Sequence, residues 1–185
     1  MKTLTIFFVF LLSIILHSCS AEDPLPTSGE NSFVASLNGK LFVAEDRIHF
    51  SNGGTKYGLR AYVRDNSWEL SVTNTSGKII FFYIHNVVEP ESYLIEEGER
   101  IVIMPNPAET PTSVVIRNGS LDLLFISDSQ IENEYIRITR VQGDSILIGE
   151  FDKITLTDPE NPNNKTILTD GKFNINTNIL NQPEP

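Results

Sequence analysis

The side chains able to do chemistry are few in this chain of 185 residues, which has one cysteine, Cys19, and three histidines, His17, His49 and His85. A catalytic zinc site takes three protein ligands, and no His-x-x-x-His pair or second cysteine occurs here. His49 and His85 are each expected at a strand end as half-exposed sheet residues, with no metal and no other cofactor. Asp158, Glu160, Asn161, Asn163 and Asn164 offer oxygen ligands in one loop. They lack the D-x-D-x-D-G-x5-E order of a calcium loop, and Pro159 and Pro162 favour a solvated turn. There is no G-x-S-x-G nucleophile elbow. A Ser-His-Asp triad is spatial rather than sequential, so the sequence leaves it open. Glu96, Glu97 and Glu99 flank Gly98 and could supply the paired carboxylates of a glycoside hydrolase, but an acidic turn of this kind is expected to be solvated. This inventory leads to an expectation of no catalytic role.

Aromatic rings offer a second kind of chemistry. A ring face suits the apolar face of a sugar while polar groups nearby hold its hydroxyls. Trp68, with Tyr57, Tyr62, Tyr83, Tyr93 or Tyr135, could build such a platform. Trp68 is in phase with Leu70 and Val72, which places it in the core. Tyr62 lies between Arg60 and Arg64 on what should be an outer face, and it is the preferred ligand-binding candidate. Asp144-Ser145-Ile146 resembles the Asp-Ser/Thr-hydrophobic O-glycosylation site of Bacteroidota, which nominates Ser145 as a glycosylation site.

The N-terminus carries an address. Lys2 is followed by Leu4 to Leu16, apolar apart from Thr5 and Ser13. That run is shorter than the ~18–20 residues a spanning helix needs, so it reads as a secretory signal over residues 1–18. It ends in Leu16-His17-Ser18-Cys19, which resembles the lipobox of bacterial lipoproteins. The resemblance implies that the Cys19 sulfur takes a diacylglyceryl group and that cleavage makes Cys19 the first residue. More than one acyl chain is needed for stable anchoring, since each buried CH₂ contributes about 0.8 kcal/mol. Ser20, where the sorting pathway would read Asp as inner-membrane retention, points to the outer membrane. Glu22-Asp23 resembles the acidic surface-export signal of Bacteroidota lipoproteins, leaving periplasmic and surface-exposed placements both open.

These groups must be positioned by strands. Residues 19–31 read as the lipidated cysteine and a Pro/Ser/Gly tether. Residues 32–178 read as one domain and 179–185 as a polar tail. Phe33, Ala35 and Leu37 alternate with Val34, Ser36 and Asn38. Asn38-Gly39 then signals a tight hairpin, because both central residues of a type I′ turn need positive φ. Leu59-Ala61-Val63 and Trp68-Leu70-Val72 alternate likewise. Ile79 to Ile84 is continuously apolar, as in a central strand covered on both faces. Asn118-Gly119 and Asp170-Gly171 are read as two further tight turns, and Gln142-Gly143-Asp144 turns the chain into Ile146 to Phe151. No window shows a capped helical stripe. About ten short strands predict an all-β fold, a single antiparallel sandwich or barrel, with Phe33, Phe42, Phe151 and Phe173 in its core.

Composition narrows the partners. Lys+Arg 14 against Asp+Glu 24 gives a formal net charge of −10, which argues against nucleic acid, since phosphate binding wants a basic stripe. Phe33-x-Ala35-x-Leu37-Asn38-Gly39-Lys40-x-Phe42, Tyr93-Leu94, Gly149-Glu150-Phe151 and Thr169-Asp170-Gly171-Lys172-Phe173 together resemble a family of small, uncharacterised Bacteroidota outer-membrane lipoproteins. The resemblance implies a membrane-tethered all-β domain and supplies no catalytic residue. The expected role is binding or assembly at the cell envelope, with the membrane as a partner through the anchor and a glycan or outer-membrane protein as a further partner. The alternatives are a purely structural envelope component and a hydrolase acting on surface glycans.

Overall fold

The computed structural model describes residues 31–45, 47–49, 55–74, 77–98, 106–117, 124–128, 130–131 and 133–180. Cys19, the signal, tether residues 20–30, Glu99, Asn118-Gly119 and residues 181–185 lie outside these, whereas Asn31, read as the end of the tether, is buried and its side-chain oxygen accepts the Asn176 N–H at 2.6 Å. The described residues contain strands, turns and irregular loops, with no helix among them. In chain order the strands are β1 (Ser32–Leu37), β2 (Lys40–Glu45), β3 (Arg47–His49), β4 (Thr55–Tyr57), β5 (Leu59–Arg64), β6 (Ser67–Thr73), β7 (Ile79–Ile84), β8 (Ser92–Leu94), β9 (Ser113–Arg117), β10 (Leu124–Ser127), β11 (Tyr135–Gln142), β12 (Ile146–Asp158) and β13 (Asn161–Asn176). Eleven of them form one antiparallel sheet whose main path runs β2-β1-β13-β12-β10-β9-β7-β6-β5, while β3 and β4 make a separate hairpin.

The sheet curls on itself into a nearly closed barrel. Rings from strands far apart in the path therefore meet inside it. Phe33 of β1 lies 5.3 Å from Phe82 of β7 and 6.0 Å, edge on, from Phe42 of β2. Phe151 of β12 lies 5.7 Å from Phe82. Phe33, Phe42, Phe151 and Phe173 are all buried, with Trp68, Leu70 and Ile136 beside them in one core. The outward face across β7, β9 and β10 carries a second, smaller cluster of Tyr83, Val115 and Ile126, with Phe81 packed against it. The apolar run of Ile79 to Ile84 thus serves both faces of a central strand.

Local sequence chemistry explains most of the turns. Asn38 and Gly39 both have positive φ, 50° and 75°, and close the β1–β2 hairpin between Leu37 and Lys40. Asp65 and Asn66 do the same between β5 and β6 at 50° and 60°, a turn built on the tolerance of short polar side chains for the left-handed region. Asp170-Gly171 departs from the expected tight turn. It lies inside β13, where the register against β1 slips between Val34 and Ser36, and Asp170 has φ 54°. The pair forms a β-bulge, which bends a strand and increases its twist. The actual turn of this hairpin falls at Asp158–Asn161, and β12 and β13, at 13 and 16 residues, form a long hairpin in place of short strands.

The Gly149-Glu150-Phe151 and Gly171-Lys172-Phe173 motifs gain a physical meaning from this register. Gly149 pairs with Phe173, and Phe151 pairs with Gly171. A Cβ on either glycine would collide with the ring of the paired phenylalanine. Each ring therefore lies over the bare backbone of the neighbouring strand. The domain also extends slightly beyond 178, because Leu180 is buried in the core and its N–H donates to the Asn176 carbonyl at 3.0 Å.

Candidate ligand-binding cleft at the fork of the sheet

β12 changes partner halfway along. Its first half pairs with β11 as far as Arg137↔Glu150, and its second half pairs with β10 from Ser127↔Leu156 onward. Among the described residues no strand pairs with 151–155 on that side. β11, paired further with β8, forms one arm of a fork, and β10 begins the other. Backbone donors in such a gap must find other partners or be hydrated. Glu134, 8% exposed, fills it with a carboxylate. One carboxylate oxygen accepts the Thr155 N–H at 2.6 Å and the other accepts the Thr155 hydroxyl at 2.8 Å. The Lys153 ammonium stands 3.6 Å away.

Two cavities open at this fork. One, of about 320 Å³, is lined by Ser92, Asn133, Tyr135, Arg137, Glu150 and Asp152, among others. The second, of about 450 Å³, is lined by Leu94, Ile95, Glu96 and Glu97. Ile131, Asn133 and Tyr135 line both. Tyr135 is 41% exposed. It is the first residue of β11, so the alternation that sends Ile136 and Ile138 into the core turns Tyr135 and Arg137 outward. The far wall is held by backbone bonds: the Ile95 N–H donates to the Glu134 carbonyl, and the Glu96 N–H to the Thr112 carbonyl. The Ser127 hydroxyl donates to the Glu96 carbonyl at 2.6 Å. Arg137 is ion-paired to Glu150 at 2.7 Å.

Other expected residues are placed elsewhere. Tyr62 is exposed at 54% on the outer face of β5, as the Leu59-Ala61-Val63 alternation requires, but it lines neither cavity. Its cross-strand row continues through Glu69 to Tyr83. Trp68 is fully buried in the core. Tyr93 is buried and donates to the Glu89 carbonyl, and Tyr57 is exposed beneath the Arg60 guanidinium. Burial raises the pKa of Glu69, and burial, with the Glu69 charge beside it, raises that of Tyr83 well above the usual phenol range. A carboxylate with a raised pKa works against the fold in its ionised form, and this penalty appears as pH rises above the ordinary carboxylate range. Glu69→Gln should therefore raise the thermal midpoint modestly at pH 7, and the gain should vanish in acid, where both side chains are neutral. Equal midpoints at pH 7 would contradict this account.

The nucleophile and metal candidates are dispersed. His85 follows β7 and is exposed, with Nδ1 3.5 Å from the Ser67 hydroxyl. Ser67 is 1% exposed and its oxygen accepts the Asn86 N–H, so it clasps the loop after β7. His49 ends β3. Among the described residues no group of three or more His, Cys, Asp or Glu side chains could hold a metal ion. Asp158 accepts the N–H groups of Glu160 and Asn161 and the Asn164 amide, which closes the β12–β13 turn. Glu96 and Glu97 are exposed on the cleft wall. Ser145 is half-buried in the β11–β12 turn beside exposed Asp144.

Tyr135 stood among the candidate rings, but the sequence did not single it out, because the fork that makes it a ridge depends on which strands β12 meets. The start of an i, i+2 alternation after Asn133, whose φ is 67°, was the available signal. Comparison with protein-family models, with curated proteins and with solved structures gives no match for this chain.

Proposed function

We propose that this chain is a lipid-anchored outer-membrane protein that binds a ligand at the cell envelope without catalysis, through the cleft around Tyr135. The observation that carries the binding reading is the pair of cavities sharing Tyr135, Ile131 and Asn133. Their volumes fall in the ~300–1,000 Å³ range of small-ligand sites. The anchor reading rests on the Leu16-His17-Ser18-Cys19 motif behind an apolar run and on its likeness to the lipobox. The resemblance to Bacteroidota lipoproteins supports the same placement. The net charge of −10 supports a partner other than nucleic acid.

Cys19→Ala should move the protein from the membrane fraction to the soluble fraction and abolish labelling by a radioactive fatty acid. Continued labelling and pelleting of the variant would refute the anchor. For the cleft, ligand screens by thermal shift on wild type and Tyr135→Ala are decisive. At least one ligand class should raise the wild-type midpoint and leave the variant unmoved.

A purely structural role is the second reading. It is favoured by Leu41 and Val43, exposed at 76% and 42% on β2, a strand at one end of the main sheet path. Leu41→Ser with Val43→Ser would then disturb envelope integrity, and Tyr135→Ala would not.

A further inference from the structure

The chemistry of the cleft walls limits what can occupy it. Arg137 and Lys153 line the first cavity, and each already faces a carboxylate, Glu150 at 2.7 Å and Glu134 at 3.6 Å. Asp152 on the same wall and Glu96 on the far wall add negative charge. An anionic ligand would find its potential counter-charges engaged and would face a surplus of carboxylates. An ammonium ligand needs acceptors only. The open groups here are mixed: the Ser92 hydroxyl, the Asn133 amide, the Tyr135 phenol and the Asp152 carboxylate all border the first cavity. Three of these can both donate and accept. The Arg137–Glu150 pair adds donors and acceptors side by side. Such a set fits vicinal hydroxyls, each of which both gives and takes a hydrogen bond.

Shape adds a second constraint. Tyr135 is a half-exposed ring bordering both cavities, so an occupant filling both must contact it. A ring face of this kind accepts the apolar C–H face of a pyranose, and the phenol end stays available for hydrogen bonding. We infer that the cleft binds a neutral saccharide of at least two sugar units, laid across Tyr135 with its hydroxyls held by Ser92, Asn133, Asp152 and the Arg137–Glu150 pair. This inference rests on the reading of the cleft as the binding site.

The test uses the full lipidated protein in a detergent without a sugar headgroup. Titration calorimetry would cover gluco-, manno- and xylo-oligosaccharides of one to six units, with oligogalacturonates as the anionic set and chitosan oligomers as the cationic set. A tripeptide library is screened in parallel. At least one neutral series should bind, with affinity rising about tenfold from one unit to three. Tyr135→Ala should lose about tenfold and Tyr135→Phe should keep most of the affinity, as stacking requires. Asp152→Asn should weaken binding, and Tyr62→Ala should leave it unchanged. Circular dichroism of each variant verifies that it is folded. Binding confined to the charged sets would overturn the neutral class. Equal affinity for one and three units would overturn the lay across Tyr135, and binding indifferent to Tyr135→Ala would overturn the location. Tyr135-dependent tripeptide binding with no saccharide binding would overturn the saccharide inference and leave the cleft as a site. Silence from all sets would overturn both.

Discussion

Phe33→Ala should lower the free energy of unfolding by about 3–5 kcal/mol, the cost of lost transfer energy plus the cavity left behind. Phe33 is fully buried, and its ring meets Phe42, Phe82 and Phe151 at 6.0, 5.3 and 6.4 Å. Phe42 comes from the hairpin partner β2, but Phe82 and Phe151 come from β7 and β12, neither of which pairs with β1, so the ring joins regions of the sheet that no backbone ladder connects directly. Collapse around the void would require the curl of the sheet itself to change. Against a typical stability of about 5–15 kcal/mol, the loss is a large fraction. Tyr62→Ala, on the exposed face of an end strand, should cost no more than about 1 kcal/mol. Urea denaturation of both variants gives the comparison. A Phe33 variant within 1 kcal/mol of wild type, or a Tyr62 variant as damaged as it, would show that the core has been misplaced.

The contrast between Phe33 and Tyr62 was legible in the sequence, because strand alternation assigns a face one residue at a time. The same rule placed Trp68 inside, while the unbroken apolar run of Ile79 to Ile84 marked a central strand covered on both faces. Asn38-Gly39 was legible because a two-residue turn with two positive φ values has few solutions. Asp170-Gly171 shows where that logic stops. A left-handed Asp followed by Gly serves a bulge as well as a turn, and only the two flanking strands decide between them. Here β1 and β12 both pair with β13 through that point, so the chain continues. The Gly171 position is fixed by the Phe151 ring over it, a cross-strand relation with a separation of twenty residues that no local pattern encodes. The cleft was hidden for the same reason. Tyr135 was visible as an aromatic residue, but its value as a ridge arises from β12 parting from β11 and joining β10, and strand partners across such distances follow from global packing.

That parting makes Glu134 the second residue of large expected effect. Its carboxylate substitutes for a missing strand by accepting the N–H and the hydroxyl of Thr155, which is 5% exposed. Hydrogen bonds to a charged partner contribute about 1.5–3 kcal/mol each, and a buried donor left unmade carries its own desolvation cost. Glu134→Ala should therefore destabilise the domain by about 2–4 kcal/mol. Glu134→Gln keeps one carbonyl acceptor and should cost roughly half as much. A double-mutant cycle with Thr155→Val isolates the hydroxyl bond, and the two substitutions should cost less together than the sum of the singles. The backbone bond has a more direct reporter. In wild type the Thr155 amide should exchange with solvent as slowly as its neighbours Ile154 and Leu156, although no described strand pairs with it on that side of β12. In Glu134→Ala that single amide should exchange faster by orders of magnitude. Tyr135 follows Glu134 directly, so the loosened fork should also weaken ligand binding in the cleft, and Glu134 itself lines the first cavity. Unchanged exchange at Thr155 in the alanine variant would mean that water serves the fork as well as the carboxylate does, and Glu134 would then have no part in holding the two arms of the sheet.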